Sequence, residues 1–291
     1  MNVKALIKSM RLRTLPLSLA GVVCGGLLAA GRYDGNDWGL ALVMLTACAL
    51  QVLSNLSNEM GDHLSGVDGE GREGPNYSMA DDGLTVGQMW HAINAMVVVC
   101  CVSGLAMTWV SGSPWWIILV GAAAIWAATH YTLGKNPYGY RGLGDLFVFI
   151  FFGLVSVLGS YFVIAHTVDF KPWLILPAVG MGLLSVAVLN VNNIRDMATD
   201  EGLRRTVPLR IGERRAKWYQ TALVVGGAAC FLLQFMPVAV LFWFVFALPV
   251  AGLCLHLAMV WRFEGRRLDP ALPLLVFSSF LLALFYATIL H

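Results

Sequence analysis

The chain has 291 residues, 58% of them hydrophobic and only 12% charged, with a net charge of +2 and a mean hydropathy of +0.72. A soluble domain carries about 25% charged residues, so one large soluble core is excluded and a polytopic membrane protein embedded in a lipid bilayer is expected. The small net charge, with no helix-turn-helix or RNA-binding signature, argues for no nucleic acid as a partner.

Apolar stretches of spanning length fall, in chain order, at 14–31, 39–60, 91–111, 114–132, 143–166, 172–195, 217–235, 237–261 and 270–290. They predict an all-α fold of nine transmembrane helices in a single domain over 1–291. The first stretch follows Lys4, Lys8, Arg11 and Arg13, as the apolar core of a signal peptide would. Because more spans come after it, it reads as a retained first helix. The six cysteines (Cys24, Cys48, Cys100, Cys101, Cys230 and Cys254) lie in apolar stretches outside any CxxC and read as small buried hydrophobes.

Charge placement sets the orientation. With the N-terminus in the cytoplasm, 17 of the 19 Lys and Arg residues fall in inner segments, and only Arg32 and Lys171 fall outside. The positive-inside rule therefore predicts a cytoplasmic N-terminus and an outer C-terminus. A helix count wrong by one would move every later loop across the membrane and destroy this asymmetry.

Outer loops are short. Two inner loops are long and charged: "NEMGDHLSGVDGEGREGPNYSMADDG" after the second stretch and "NNIRDMATDEGLRRTVPLRIGERRAK" after the sixth. Loops of this length are uncommon unless functional. They echo each other. Asn55, Asn58 and Asp62 in the first match Asn190, Asn193 and Asp196 in the second, with asparagines three apart in both. The echo predicts a weak parallel repeat of helices 1–4 and 5–8, with two acidic helix ends at one cytoplasmic mouth.

On a helix, positions four apart share a face. Asn192, Asp196 and Asp200 are therefore expected to line up, as are Asn58 and Asp62, with Asp68 beyond the turn at Gly66. Crowded carboxylates repel unless a cation joins them. Hard oxygens suit Mg²⁺, which takes one or two carboxylates plus phosphate oxygens and water. With Arg72, Lys135, Arg204 and Arg205 nearby, the two clusters would make a diphosphate site. Glu70, Glu73, Asp81, Asp82 and Glu201 read instead as solvated charges.

These residues resemble the UbiA-type intramembrane prenyltransferases, which carry an Asn/Asp-rich motif after helix 2 and a DxxxD-type motif after helix 6. "RLRTLP", "LLQVLSNLSNEMGDHLSGVD", "YTLGKNPYGYRGLGD" and "LNVNNIRDMATD" carry the resemblance over most of the chain. The Asp62-Gly66-Asp68 spacing is similar to the branch that prenylates 1,4-dihydroxy-2-naphthoate in menaquinone synthesis. The resemblance implies nine helices around a central cavity, polyprenyl diphosphate as donor and Mg²⁺ as cofactor. It implies that Asn58, Asp62 and Asp68 hold one Mg²⁺, and Asp196 and Asp200 the other, with Asn192 or Asn193 as a further donor. Lys135 and Arg72 would bind diphosphate, and Tyr131 would sit near the allylic carbon. Two departures stand out. "DEGLRRT" is short and puts Arg204 or Arg205 where the family has Lys, and "GREGPNYS" lacks a basic residue just after Gly-Pro.

The chemistry would need aromatic faces for an allylic cation, which "FVFIFFG" and Trp126 offer. Arg13 reads equally as a hold for the acceptor's carboxylate or as a charge that sets topology. Alternatives are a sister enzyme with another acceptor, such as 4-hydroxybenzoate or homogentisate, and a cation-coupled transporter, which would place its acids near midspan. The expected location is the inner, cytoplasmic membrane of the cell, with the site facing the cytoplasm.

Overall fold

Inside a bilayer, backbone N–H and C=O groups can pair only within the chain, so apolar spans fold as helices. The computed structural model describes residues 2–33, 37–66, 79, 83–235 and 240–291, and among these there is no strand. A short helix, α1 (Val3–Ser9), is capped by the Asn2 side chain, which accepts from the N–H groups of Lys4 and Ala5. Then come α2 (Leu15–Ala30), α3 (Asp37–Leu64), α4 (Val86–Ser111), α5 (Ile117–His130), α6 (Gly144–Ala165) and α7 (Pro172–Arg195). Two short turns, α8 (Met197–Asp200) and α9 (Val207–Ile211), lead to α10 (Glu213–Leu232), α11 (Val240–Arg262) and α12 (Ala271–Leu290).

The nine apolar stretches of the sequence each coincide with one long helix among the described residues. Seven of these helices are long and apolar enough to cross a membrane. The other two are α5 and α10. Helix α5 has 14 residues, a length of about 21 Å against the ~30 Å of a bilayer core. Helix α10 opens on Glu213, Arg214, Arg215 and Lys217.

Helix α2 packs against α3, α6 and α12, α7 packs against α6, α10 and α12, and α3 packs against α4 and α5. The larger buried cluster joins α2, α6, α7, α10, α11 and α12 through residues such as Tyr161, Met181, Phe231 and Tyr286. A smaller cluster joins α1, α3 and α4 through Leu53, Met60 and Met89. Small residues set the closest approaches. A Cβ on Gly153 of α6 would lie 2.6 Å from the Gly182 Cα of α7, a distance only paired glycines allow. Within α6, residues Phe149–Val155 widen into a π-helical stretch, a form that often marks functional sites.

Exposed aromatic residues gather at both ends of the helices. Trp38, Trp109, Trp115 and Phe170 lie at one end, and Trp90, Trp218 and Trp261 at the other. Amphipathic rings of this kind anchor a protein at the two membrane–water interfaces.

Candidate active site

The last turns of α3 carry Asn58 and Asp62 on one face. Asp62 is only 3% exposed. Its Oδ1 accepts a 2.8 Å hydrogen bond from the Tyr140 hydroxyl and a second from Arg204. Arg204 follows α8, and its Nε lies 3.6 Å from Asp200 Oδ1. Asp200 is also buried. One guanidinium thus joins carboxylates from both acidic motifs, with the Tyr140 ring 4.9 Å beneath it. Burial works against the Arg204 charge, but Asp62 and Asp200 outweigh it and hold the pKa above the usual arginine value. Burial, and then the Asp62 charge, push the Tyr140 hydroxyl above its ordinary range, so it stays protonated and donates.

Local sequence explains why these groups meet. The turn after α5 reads "GKNPYGYRGLG". Gly142 has φ +81°, and a Cβ there would lie 2.5 Å from the Arg205 carbonyl, so glycine is what lets the two loops touch. The Arg205 N–H then donates to the Tyr140 carbonyl at 3.0 Å, and Arg210 Nη2 donates to the Arg141 carbonyl at 2.8 Å. Gly139 plays a similar part. A Cβ there would come within 2.9 Å of the Tyr131 ring, which instead meets Tyr138 edge-on at 5.4 Å.

The second motif bends at Asp196, yet its backbone bonds keep the four-residue spacing of Asn192, Asp196 and Asp200: the Asp196 N–H donates to the Asn192 carbonyl at 3.0 Å and the Asp200 N–H to the Asp196 carbonyl at 2.9 Å. Helix α7 ends at Arg195, and Asp196 takes the cap position with φ −93° and ψ 8°. The reason is the buried Arg195, whose charge must be paired. Its Nε and Nη2 donate to the two Asp196 oxygens at 2.8 and 2.7 Å, and its Nη1 donates to Asp269, just before α12, at 2.9 Å. Asp196 is thereby committed to Arg195, while Asp200 comes to Arg204. Asn192 Nδ2 donates to its own helix at the Val188 carbonyl, 3.0 Å away, and Asn193 is buried.

The remaining sequence candidates are more dispersed. Lys135 is exposed after α5 and makes no hydrogen bond or ion pair with the described residues. Arg205 and Arg13 are also exposed, and Tyr131 is half-buried. Asp68 and Arg72 lie outside the described residues.

Beside this polar cluster opens a cavity of about 470 Å³ between α2, α3, α4, α5 and α6, within the usual range for a ligand pocket. Asn58 and Tyr131 line it, with Gln51 and Asn55 on the α3 side and Phe147, Phe151 and Phe152 on the α6 side. Tyr138 stacks on Phe147 at 4.0 Å, and Trp126 stacks behind Tyr138 at 5.9 Å. Tyr138 and Tyr140 are the site residues that sequence reasoning did not single out. They lay inside the quoted "NPYGYRGLGD", but nothing in their spacing marks them apart from other membrane aromatics.

Asn55 and Asn190 brace neighbouring segments. Asn55 Nδ2 donates to the Met10 carbonyl at 2.8 Å. Asn190 Nδ2 donates to the Ala216 carbonyl at 3.2 Å and to Gln220 Oε1 at 2.8 Å. Gln220 Nε2 lies 2.9 Å from His256, and His256 Nδ1 lies 2.9 Å from the Ala271 carbonyl. This buried chain ties α7 to α10, α11 and α12.

Among the described residues, no three acidic, His or Cys side chains converge as a complete metal site. The donors that do gather are two buried carboxylates, with the Asn58 amide oxygen on the same face. These are hard oxygens, and the pair already accepts a cation in the form of Arg204. Such a set fits Mg²⁺, which needs few protein ligands when phosphate oxygens and water complete its shell.

Residues 18–288 match the UbiA prenyltransferase family. The chain is 38% identical over 272 residues to 1,4-dihydroxy-2-naphthoate octaprenyltransferase of Escherichia coli (strain K12), covering 92% of this chain and 87% of that one. It is 35% identical over 271 residues to the enzyme of the same name from Mycobacterium tuberculosis, covering 91% and 89%. Its fold is similar to the apo structure of a UbiA homolog from Aeropyrum pernix K1, with a TM-score of 0.72 and 17% identity over 97% of this chain and 99% of that one. A UbiA homolog from Archaeoglobus fulgidus bound to GPP and Mg²⁺ gives a TM-score of 0.67 at 15% identity over 98% and 99%. At these identities the structural likeness speaks for the fold alone.

Proposed function

This chain belongs to the UbiA prenyltransferase family and is a multi-pass membrane aromatic prenyltransferase, and on that premise we propose that it transfers a polyprenyl group from polyprenyl diphosphate to 1,4-dihydroxy-2-naphthoate. The reaction depends on Mg²⁺, releases diphosphate and CO₂, and yields demethylmenaquinol. The observation that carries the reading is the Asp62–Arg204–Asp200 cluster beside a largely apolar cavity with an aromatic wall. The relatives named for this acceptor support the choice of naphthoate.

Asn58, Asp62 and Asp68 would hold one Mg²⁺, and Asp200 the other, with Asp196 offering the lone pairs that its bonds to Arg195 leave. Bound Mg²⁺ would supply positive charge to the diphosphate as its bond to the allylic carbon breaks. Arg204 would bind diphosphate oxygens, joined by Arg72, Lys135 and Arg205. Tyr140 fixes the orientation of Asp62 through its 2.8 Å bond. Tyr131, Tyr138, Phe147 and Phe151 would face the allylic carbon, exclude water and stabilise its positive charge. Arg13 would hold the acceptor's carboxylate until the ring carbon bearing it bonds to the prenyl group. That carboxylate then leaves as CO₂, and its electron pair restores the aromatic ring.

The reading includes nine membrane-crossing helices, a cytoplasmic N-terminus and a site open to the cytoplasmic side of the inner membrane. The 17-to-2 split of basic residues supports that orientation. The position of Asp62 and Asp200 at helix ends sets the protein apart from a coupled transporter, whose acids sit near midspan.

The test is prenyl transfer in detergent with a long-chain prenyl diphosphate and Mg²⁺, offering 1,4-dihydroxy-2-naphthoate or 4-hydroxybenzoate in parallel. The expected result is prenylated naphthoquinol with CO₂ release, abolished by EDTA, Asp62→Ala or Asp200→Ala. Product from 4-hydroxybenzoate alone would overturn the acceptor.

A further inference from the structure

We propose that Arg204 is an electrostatic gate that makes metal binding depend on diphosphate. The inference rests on the metal–diphosphate reading above and goes beyond it, because it concerns the order in which the charges assemble. Arg204 lies on the same two carboxylates that a divalent cation would use. Its guanidinium donates to Asp62 Oδ1 and approaches Asp200 Oδ1 at 3.6 Å. Its side chain is only 13% exposed and stands over the Tyr140 ring.

The backbone at Arg204 is fixed from both sides. The Arg204 N–H donates to the Asp200 carbonyl at 3.1 Å, and the next N–H, of Arg205, donates to the Tyr140 carbonyl at 3.0 Å. Only the side chain is left to move. A guanidinium can move between partners without losing its charge, since it never deprotonates in this range.

The charge arithmetic decides the order. Two carboxylates and one guanidinium sum to one negative charge. Adding a divalent ion alone would set it beside the guanidinium on the same carboxylates, in a buried site where like charges repel strongly. A diphosphate supplies the missing negative charge and gives Arg204 a new bidentate partner. Metal and diphosphate then favour each other's binding, and by linkage the coupling is the same in both directions. A lysine at this position would keep the charge but could not fork between Asp62 and Asp200.

The experiment titrates Mn²⁺ into the detergent-solubilised full chain and reads bound metal by electron paramagnetic resonance, with and without inorganic diphosphate. In the wild type, diphosphate is expected to tighten Mn²⁺ binding by about tenfold or more. R204Q is expected to bind Mn²⁺ alone about tenfold more tightly than the wild type and to lose most of the diphosphate effect. R204K should fall between the two, and D62N/R204Q should lose the gain. If R204Q and R204K bind Mn²⁺ alone no better than the wild type, while diphosphate still promotes binding in the wild type, the gate is wrong and the metal site stands. If R204Q does not fold, R204K decides alone, and wild-type behaviour there overturns the gate. Absence of Mn²⁺ binding in every variant, with or without diphosphate, would sink the gate and the metal reading together.

Discussion

At Tyr140 a single hydroxyl holds Asp62, and the ring beneath supports Arg204. Tyr140→Phe keeps the ring and removes one hydrogen bond to a charged group, worth about 1.5–3 kcal/mol. The expected result is a fall in kcat/KM of roughly ten- to a hundredfold beside a loss of several degrees in melting temperature, read by steady-state prenyl transfer and a thermal scan. Wild-type kinetics in this variant would mean that Asp62 needs no such support. Asn190 should affect stability without the kinetic loss. Asn190→Ala breaks the buried chain to Gln220 and Ala216 and should cost about 1–3 kcal/mol of stability, seen in thermal unfolding, while KM values hold. Asp62 and Asp200 were legible in the sequence because carboxylates are conspicuous in an apolar chain. Tyr140 was not, because its role depends on a glycine-closed turn meeting a loop more than sixty residues away. The bend at Asp196 was not legible for a nearer reason. Spacing by four carries no sign of the buried Arg195, which takes both Asp196 oxygens while the i→i−4 backbone bonds run on to Asp200.

At the scale of elements, hydropathy located each long helix to within a few residues, since spanning length and apolar composition leave a clear mark. It could not show the π-helical stretch of α6, where the apolar run continues unbroken while the backbone pairing widens. It also could not show that the glycines of α6 and α7 face each other. Gly153→Ala is expected to push these helices apart, because the new methyl would meet the Gly182 backbone and not a side chain that can swing aside. Overpacking of this kind costs about 1–3 kcal/mol. Here it should also disturb the wall that carries Phe151 and Phe152. Thermal unfolding and prenyl transfer should fall together. Activity surviving intact would show that the α6 wall is not part of the site.

For the molecule as a whole, orientation follows from charge and not from packing. In a cysteine-free background, Lys135→Cys should react with a membrane-impermeant maleimide only from the cytoplasmic side, and Arg32→Cys only from the outer side. The reverse pattern would overturn the topology and with it the cytoplasmic site. The large core formed by α2, α6, α7, α10, α11 and α12 was not legible, because every span is apolar and composition alone does not say which faces meet.

The brace on Arg195 has a consequence for how the protein is made. Arg195 holds Asp196 in place, and Arg195 is itself held by Asp269, which lies 74 residues further along the chain. A chain leaving the ribosome therefore carries Asp62, Asp196 and Asp200 before the residue that steadies the second motif has been synthesised. Until α12 follows and docks beside α2, the nascent protein carries the letters of an active site without its grammar. Asp269 and the helix behind it, which carry none of the proposed ligands, are then what completes the support of the second motif.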